Sequence, residues 1–329
     1  MRPSCIELVA GLGAGMLAAA SAWIGAGYRR DIARARARAS TGSRVIATSC
    51  GEIEFAEMGA GPAILVIHGA GGGFDQGMAL ADSFAPSGYR VIAMSRFGYL
   101  RTPVPESASI AQQADAHARL LDALDVASAA VIAVSAGAPS ALEFALRHAD
   151  RCRALVLVVP GWFPSSEGAR RRLGPATQVL FERAMRSDLA FWLFARFSPR
   201  AATRGVLGTP PSVVTAASRD EQARVASMLS NILPVSQRAS GLLLEARMTT
   251  ERLSSPLGSI RSPTLAISAK DDLYGTWENA KYITAGVPGA RFIGYPVGGH
   301  MLMGHAEEVR AAVARFLLGD RDGAISGSH

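Results

Sequence analysis

The chain has 329 residues, of which 49% are hydrophobic and 19% are charged, and its formal net charge at pH 7 is +7. A chain of this length and composition can bury a sizeable core, either as one large α/β domain with an insertion or as two small domains. Residues 1–44 hold seven arginines against Glu7 and Asp31, so the rest of the chain is nearly neutral. Nucleic-acid binding is therefore not expected, because phosphate contacts require a basic face on the folded domain.

The first predicted element is an apolar run from Ile6 to Ile24, followed by five arginines between Arg29 and Arg38. The run is about long enough to cross a bilayer core of roughly 30 Å. The arginines behind it favour a retained single-pass membrane anchor, with the following domain on the cytoplasmic side. A cleaved signal peptide is the alternative, because Ala20-Ser21-Ala22 has the form of a cleavage site, and the protein would then be secreted or periplasmic. A buried helix is a third interpretation.

Residues 1–44 are thus expected to form an anchor or signal and a basic linker. Within this segment, the alternation of Arg and Ala between Ile32 and Ser43 predicts a solvated helix that can also lie on anionic headgroups. The three cysteines Cys5, Cys50 and Cys152 have no metal-ligand or disulfide-framework spacing, so they do not identify the compartment.

Beyond the linker, apolar runs bounded by turn residues predict strands that alternate with helices. The predicted strands are Val45–Ser49, Ile53–Met58, Ala63–Ile67, Tyr89–Met94, Ala129–Val134, Ala154–Val159, Pro263–Ser268 and Arg291–Tyr295. The predicted helices among them are Met78–Ala85, Ile110–Leu124, Pro139–His148, Thr276–Ala285 and Glu307–Leu318. This alternation indicates a mostly parallel, doubly wound sheet, whose active site lies beyond the carboxyl ends of the strands.

The alternation stops from about Phe163 to Ser259, where helical patterns replace strands for nearly a hundred residues. A segment of this length is too long for a loop, so we expect an inserted helical domain, or lid, over residues 161–259. Its clearest helices are Ala176–Arg186, Leu189–Phe197 and Glu221–Ile232, and Arg170-Arg171-Arg172 is interpreted as a solvated face. The apolar cluster Phe191–Phe197 is interpreted as core packing, although it would line an apolar pocket if the insertion roofs the site.

The two parts of the sheet domain are then residues 45–160 and 260–319, and residues 320–329 form a frayed tail. The strand Ala63–Ile67 ends in a glycine-rich turn from His68 to Asp75. Such a turn can hold a phosphate, but Gly-Lys-Ser/Thr is absent and the glycines do not form a clear dinucleotide fingerprint. The leading His-Gly favours the other use, in which backbone N–H groups stabilise an oxyanion. His68 itself is interpreted as a buried orienting residue.

The strand Ala129–Val134 ends at Ser135, and the helix after it begins within a few residues. The serine therefore lies on a tight strand-to-helix turn, where the positions two before and two after it must be small so that strand and helix pass closely. Ala133 and Gly137 meet this requirement, with alanine in place of the first glycine of Gly-x-Ser-x-Gly. The turn indicates a nucleophilic serine.

Two further loops at strand ends carry groups that such a serine requires. A serine hydroxyl becomes a good nucleophile when a neutral imidazole takes its proton, and the imidazole in turn needs a carboxylate to orient it. We therefore predict Ser135 as nucleophile, His300 as base and Asp272 as orienting carboxylate. The alternates are Asp271 and His305. His300 is preferred because glycines precede it on a loop, whereas His305 stands at a helix start.

The order Ser, Asp, His, the serine turn and the His-Gly loop together resemble the α/β-hydrolase superfamily, in particular its lidded esterases, lipases and C–C hydrolases. The resemblance covers about residues 45–319. It implies an oxyanion hole formed by the backbone N–H groups of Ala70 and Ala136, with Gly71 as the alternate for the first. The family's spacing, counted from Ala269, also selects Asp272 over Asp271. Ser268-Ala269 departs from the His-Gly that often precedes the acid.

The resemblance implies a serine hydrolase that cleaves an ester of a small to medium apolar acyl or alkyl group through an acyl-enzyme. A C–C bond hydrolase of a ring-cleavage product or diketone is the alternative, and thioesters and amides stay open. A non-catalytic binding module of the same fold is a further class, disfavoured because all three groups are present. The serine argues against dehalogenases and epoxide hydrolases. No metal-ligand cluster or nucleotide motif is visible, so no cofactor is expected; the oligomeric state stays open.

Overall fold

An eight-stranded sheet forms the centre of the part of the chain that the structure, a computed structural model, describes: residues 5–162, 183, 186–248 and 251–319. Its strands are β1 Arg44–Thr48, β2 Gly51–Met58, β3 Ala63–Ile67, β4 Arg90–Met94, β5 Ala129–Val134, β6 Cys152–Val158, β7 Thr264–Ala269 and β8 Arg291–Tyr295. The order across the sheet is β1-β2-β4-β3-β5-β6-β7-β8. Strands β3 to β8 are parallel, and β1 and β2 are antiparallel to their neighbours.

Helices lie on both faces of this sheet and join its strands. The described helices are α1 Cys5–Ser40, α2 Phe74–Phe84, α3 Ile110–Ala123, α4 Ala138–Arg147, α5 Asp188–Phe197, α6 Pro199–Val206, α7 Pro211–Ala216, α8 Arg219–Asn231, α9 Ala239–Met248, α10 Thr276–Gly286 and α11 Ala306–Leu317. Buried side chains of α3, α4 and α10 pack on one face. Those of α2 and α11 pack on the other. The predicted α/β-hydrolase fold with a mostly parallel, doubly wound sheet is confirmed, and each predicted strand lies within two residues of an observed one.

The central strands explain where the site forms. Every residue of β3 and of β5 is buried, because helices cover both faces of the sheet there. Strands β4 and β5 lie on opposite sides of β3. The strand order therefore reverses at β3, and the loops after β3 and β5 lead away from each other there. Crevices at such points, outside the carboxyl ends of the strands, are the usual ligand sites of α/β sheets.

The described residues between β6 and β7 are helical, as the sequence predicts, and include α5 to α9. The predicted helices Leu189–Phe197 and Glu221–Ile232 correspond to α5 and α8. Helices α6, α7 and α9 were not predicted. The first two are short and begin at Pro199 and Pro211, since proline at the first helical position starts a helix rather than breaking it. Most of the predicted helix Ala176–Arg186, the Arg170–Arg172 face and the tail at 320–329 lie outside the described residues.

Helix α1 corrects the membrane-anchor prediction. None of the helices among the described residues has an apolar stretch long enough to cross a bilayer, so the anchor and the localisation built on it are wrong. The helix instead contacts the protein through its second half. Ile32, Ala35 and Ala39 are buried, and they lie three and four residues apart, which places them on one face of the helix. The Arg-Ala alternation, interpreted as a solvated linker, therefore forms an apolar stripe with arginines beside it.

Candidate active site

Ser135 occupies a strained turn between β5 and α4. Its backbone φ of 51° lies in the left-handed region, which is uncommon for residues other than glycine and often marks a functional site. Gly137 follows where the end of β3 passes closest to the turn. A Cβ at Gly137 would lie 2.8 Å from the carbonyl oxygens of both Ile67 and His68, so only glycine fits there. The sharp turn presents the Ser135 hydroxyl at the carboxyl edge of the sheet.

The structure brings the three predicted residues together in one hydrogen-bonded chain. The Oγ of Ser135 lies 3.0 Å from Nε2 of His300, and Nδ1 of His300 lies 2.8 Å from Oδ2 of Asp272. The side chain of Asp272 is fully buried and that of His300 is 9% exposed. A neutral imidazole with its proton on Nδ1 donates to the carboxylate and accepts from the serine hydroxyl. This is the arrangement that serine activation requires.

The loop after β7 holds Asp272 in place through its own residues. Oδ1 accepts a hydrogen bond from the backbone N–H of Tyr274 at 2.8 Å, and Oδ2 accepts one from the hydroxyl of Thr276 at the start of α10. The backbone between Asp272 and Thr276 therefore turns around the carboxylate. Both oxygens are bonded, which fixes the oxygen that faces His300.

The two alternates are used elsewhere. Oδ1 of Asp271 accepts the backbone N–H of Gly299 at 2.7 Å, so this carboxylate ties the loop after β7 to the loop that carries His300. The ring of His305 stacks on Tyr295 at 3.9 Å, and its Nε2 lies 2.9 Å from the carbonyl oxygen of Val297. His305 therefore fixes the start of α11, and neither alternate contacts Ser135.

The glycine-rich turn after β3 lies directly against the nucleophile turn. A Cβ on Gly69 would be 3.2 Å from Cβ of Ser135. Ala70, at the tip of this turn, is exposed, whereas the N–H of Gly71 faces the hydroxyl of Tyr99 at 3.4 Å. The structure thus gives Gly71 a protein partner. Ala70 and Ala136 are next to Gly69 and Ser135, respectively, and their role as oxyanion donors stays a prediction.

His68 is fully buried behind this turn. Its Nδ1 lies 2.7 Å from the carbonyl oxygen of Gly69, and its Nε2 accepts the backbone N–H of Arg96 at 3.0 Å. Burial, together with the charge of Arg96, holds the pKa of His68 well below its usual value. The neutral ring therefore orients the turn, as the sequence suggested, and does not reach the Ser135 hydroxyl.

A buried ion pair below the two turns was not found from the sequence. The guanidinium of Arg96 donates to the carbonyl oxygens of Gly69 at 3.1 Å and Ala136 at 3.2 Å, and it pairs with Glu245 of helix α9. The hydroxyl of Tyr99 donates to the other oxygen of Glu245 at 2.5 Å. Burial, and next the charge of Glu245, raise the pKa of Tyr99 well above its usual value, so the phenol stays a donor.

These contacts join helix α9 to both turns of the predicted oxyanion hole. Arg96 and Tyr99 lie in the loop after the carboxyl end of β4, and this position could have marked them as residues near the site. Glu245 carried none, because the helix that holds it was not predicted.

The insertion also contacts the loops that carry the acid and the base. The carbonyl oxygen of Gly208 accepts the N–H of Leu273 at 2.9 Å, and the hydroxyl of Thr209 accepts the N–H of Met301 at 3.1 Å. The edge of the Tyr274 ring meets His300 at a centroid distance of 4.9 Å. Partial burial, and then the charge of Asp272, raise the pKa of Tyr274 to about 12. The phenol therefore stays neutral beside the imidazole.

Comparison with known proteins identifies the fold family of the chain. The sequence profile of the family described as alpha/beta hydrolase fold matches residues 62–305. A curated relative from Comamonas testosteroni, named 2-hydroxy-6-oxo-6-phenylhexa-2,4-dienoate hydrolase, is 24% identical over 260 residues, which are 75% of this chain and 84% of the relative.

Two solved structures show how far the fold extends. An alpha/beta hydrolase fold protein from Nakamurella multipartita superposes with a TM-score of 0.65 and 27% identity, covering 84% of this chain and 98% of its own. A thermophilic esterase from Thermogutta terrifontis superposes with a TM-score of 0.62 and 23% identity, covering 84% of this chain and 98% of its own, and this likeness shows the fold alone.

Proposed function

Because the chain belongs to the alpha/beta hydrolase fold family, we propose that it is a serine hydrolase that cleaves an ester of a small to medium apolar acyl or alkyl group. The observation that carries the proposal is the hydrogen-bonded chain from Ser135 through His300 to Asp272, with distances of 3.0 Å and 2.8 Å. In this arrangement Ser135 is the nucleophile, His300 accepts its proton, and Asp272 supplies a fixed negative charge beside the imidazole.

The proposed reaction begins when the ester carbonyl lies above Ser135. The serine Oγ attacks the carbonyl carbon while Nε2 of His300 takes the hydroxyl proton. The imidazolium that forms is stabilised by Asp272 at Nδ1. The tetrahedral intermediate then collapses, the C–O bond to the alcohol breaks, and Nε2 gives its proton to the leaving oxygen. The acyl group stays on Ser135.

Deacylation repeats these roles with water. His300 takes a proton from a water molecule, the resulting hydroxide attacks the acyl-enzyme, and the serine oxygen leaves with the proton from His300. In both steps the carbonyl oxygen becomes negative, and the N–H groups of Ala70 and Ala136 are proposed to stabilise it. Removing one such donor typically lowers kcat about 10²–10³-fold.

An apolar group is favoured because a hydrophobic side chain of the insertion approaches the proposed oxyanion turn. Ile232, at the end of helix α8, would lie 3.3 Å from a Cβ placed on Gly71, and it is buried. An acyl or alkyl chain that leaves the carbonyl toward the insertion would meet this side chain. Each buried CH₂ contributes roughly 0.8 kcal/mol, which is about fourfold in kcat/KM.

A C–C bond hydrolase is the second candidate, and the curated relative from Comamonas testosteroni named as a dienoate hydrolase favours it. The attack by Ser135 on a ketone carbonyl follows the same course. The difference lies in the leaving group, which is a carbanion equivalent and must be protonated at carbon. The proton held by His300 after the attack would serve that purpose.

The test compares p-nitrophenyl esters from acetate to decanoate with 2-hydroxy-6-oxo-6-phenylhexa-2,4-dienoate. We expect kcat/KM to rise with acyl length up to a size limit and to exceed the value for the dienoate. Ser135→Ala and His300→Ala should each lower kcat by about 10⁴-fold or more, and the double variant should lose little more, because the residues act as a unit.

His305→Ala is the matched control, since that ring stands at the start of α11 and contacts Val297 rather than Ser135. Near-normal ester turnover by Ser135→Ala would contradict the mechanism. A dienoate rate that exceeds every ester rate would replace the ester by the second candidate.

A further inference from the structure

A second cavity lies apart from the candidate active site, between helix α1 and the insertion. Its volume is about 570 Å³, within the range of roughly 300–1,000 Å³ that is usual for small-molecule sites. Side chains of α1, α5, α6, α7 and α8 line it. Ser135, Asp272 and His300 are not among the lining residues. The cavity is therefore separate from the candidate active site.

The inner wall of this cavity is apolar. Trp192, Val225 and Leu229 line it and are each at most 6% exposed. The indole N–H of Trp192 donates to Asp31 at 3.0 Å, which places the polar edge of the ring toward α1 and leaves its aromatic body to the cavity wall. Such a wall is suited to a hydrocarbon chain.

The α1 side and the mouth of the cavity are basic. The described residues that line it include the arginines Arg34, Arg38 and Arg196 and one acidic residue, Asp31. Among the described residues, the ion pairs formed by helix α1 involve Arg30, Arg36 and Arg38 but not Arg34. The cavity therefore combines excess positive charge with an apolar wall, and guanidinium groups are the preferred partners of carboxylates.

Arg38 is held by backbone carbonyl oxygens and by a shared carboxylate: its Nη2 donates to Leu233 at 2.6 Å and to Asn231 at 3.3 Å. Its Nε is 3.4 Å from Asp75, but the same carboxylate already pairs with the fully buried Arg238 at 2.7 Å. Two guanidinium groups thus share one carboxylate. Burial lowers the pKa of Arg38, and the charge of Arg238 adds to this, although Asp75 opposes it. An anion in the cavity would place a second negative charge beside Arg38.

From these observations we propose that the cavity binds an amphipathic monoanion, a carboxylate on an unbranched apolar chain. The carboxylate lies among Arg34, Arg38 and Arg196, and the chain lies along Trp192 and its neighbours. Asp31 within the same group disfavours a dianionic headgroup such as a phosphate monoester. Because α1 and the insertion both line the cavity, bound ligand stabilises their contact by mass action.

The test uses 12-bromododecanoate, whose bromine quenches the fluorescence of a nearby tryptophan. We expect saturable quenching in the full-length protein, competed by dodecanoate, more weakly by dodecanol or dodecyl phosphate, and not by dodecyltrimethylammonium. Trp192→Phe should remove the quenching, whereas Trp162→Phe should retain it, because Trp162 lies outside the cavity lining.

The double variant Arg34→Gln/Arg196→Gln should weaken binding of dodecanoate by about threefold to tenfold and leave dodecanol unchanged, as expected for two partly exposed charge contacts. Arg29→Gln is the matched control, since Arg29 lies on the same helix, is not among the described lining residues and donates to the carbonyl oxygen of Gly25. Ala226→Phe, which fills the cavity from α8 without adding a tryptophan, should abolish quenching. Equal weakening by Arg29→Gln, equal binding of the cationic amphiphile, or no effect of Ala226→Phe would overturn the proposal.

Dodecanoate could instead occupy the catalytic pocket as a product. The titration is therefore repeated after the nucleophile has been blocked with a long-chain fluorophosphonate. Unchanged quenching supports the second cavity, and loss of quenching overturns it. If the fluorophosphonate does not label Ser135, the proposed function fails, but the variants of Arg34, Arg196 and Ala226 still decide whether the cavity binds the anion.

Discussion

The buried pair of Arg96 and Glu245 yields the sharpest prediction for stability. Both side chains are 5% exposed, and they join helix α9 to the two turns around Ser135. Glu245→Gln keeps the size of the side chain and an acceptor for the Tyr99 hydroxyl but removes the negative charge. Among the described residues, Arg96 then faces carbonyl oxygens and the ring of Tyr99 but no carboxylate. Removing one partner of a buried pair typically costs about 3–5 kcal/mol.

A loss of this size is a large part of the roughly 5–15 kcal/mol by which domains are stable. We therefore expect the urea midpoint of Glu245→Gln to fall strongly at an unchanged m-value, measured by circular dichroism. The kcat on esters should fall as well, because Arg96 also holds the carbonyl oxygens of Gly69 and Ala136, whereas KM should change less.

Glu57→Gln is the matched control, since it removes the same charge from ion pairs with Arg44 and Arg90 in which every side chain is more than a quarter exposed. That change should cost no more than about 1 kcal/mol. The reasoning is refuted if the two variants lose the same stability, or if Glu245→Gln is as stable as the wild type.

Three further predictions concern pH, helix α1 and the two aspartates. Burial lowers the pKa of His117 from 6.5 to about 3, so only the unfolded state takes up its proton as the pH falls below about 6.5. The unfolding free energy should then fall by up to about 1.4 kcal/mol per pH unit, and His117→Gln should lessen the loss between pH 7 and pH 5 in urea titrations; equal losses would contradict this. Deleting residues 1–22 should leave Tm nearly unchanged. Deleting residues 1–40 should lower Tm, because loss of buried Ile32 lowers the free energy of unfolding by at least about 2 kcal/mol. Equal Tm values for the two deletions would show that α1 adds nothing to stability. Asp272→Asn should reduce kcat about 10⁴-fold, because the amide can hold the imidazole in the wrong tautomer. Asp271→Asn keeps an acceptor for the N–H of Gly299 and should reduce kcat much less. A reversed order of the two kcat values in steady-state kinetics would exchange their roles.

The sheet and the elements beside it could be predicted because they depend on local pattern. The strands are continuous apolar runs, and the turn at Ser135 needs small neighbours wherever it occurs. Proximity of Ser135, Asp272 and His300 follows from parallel strands, because their carboxyl ends meet at one edge.

The remaining features depend on contacts between distant segments. The pairing of Arg96 with Glu245 spans 149 positions, and no periodicity encodes it. The N-terminal helix was misinterpreted for a related reason. A run of alanines and arginines has the same local pattern whether it lies on lipid headgroups or on the insertion, and only the partner surface around Trp192 distinguishes the two.

The most direct test of the proposed mechanism is the site of covalent labelling. The full-length protein is incubated with a fluorophosphonate carrying a short alkyl chain, digested, and sequenced by tandem mass spectrometry. We predict one adduct, on Ser135, with a labelling rate that falls by orders of magnitude in His300→Ala and stays near normal in His305→Ala. An adduct on another residue, or labelling of Ser135 at the same rate without His300, would contradict the account.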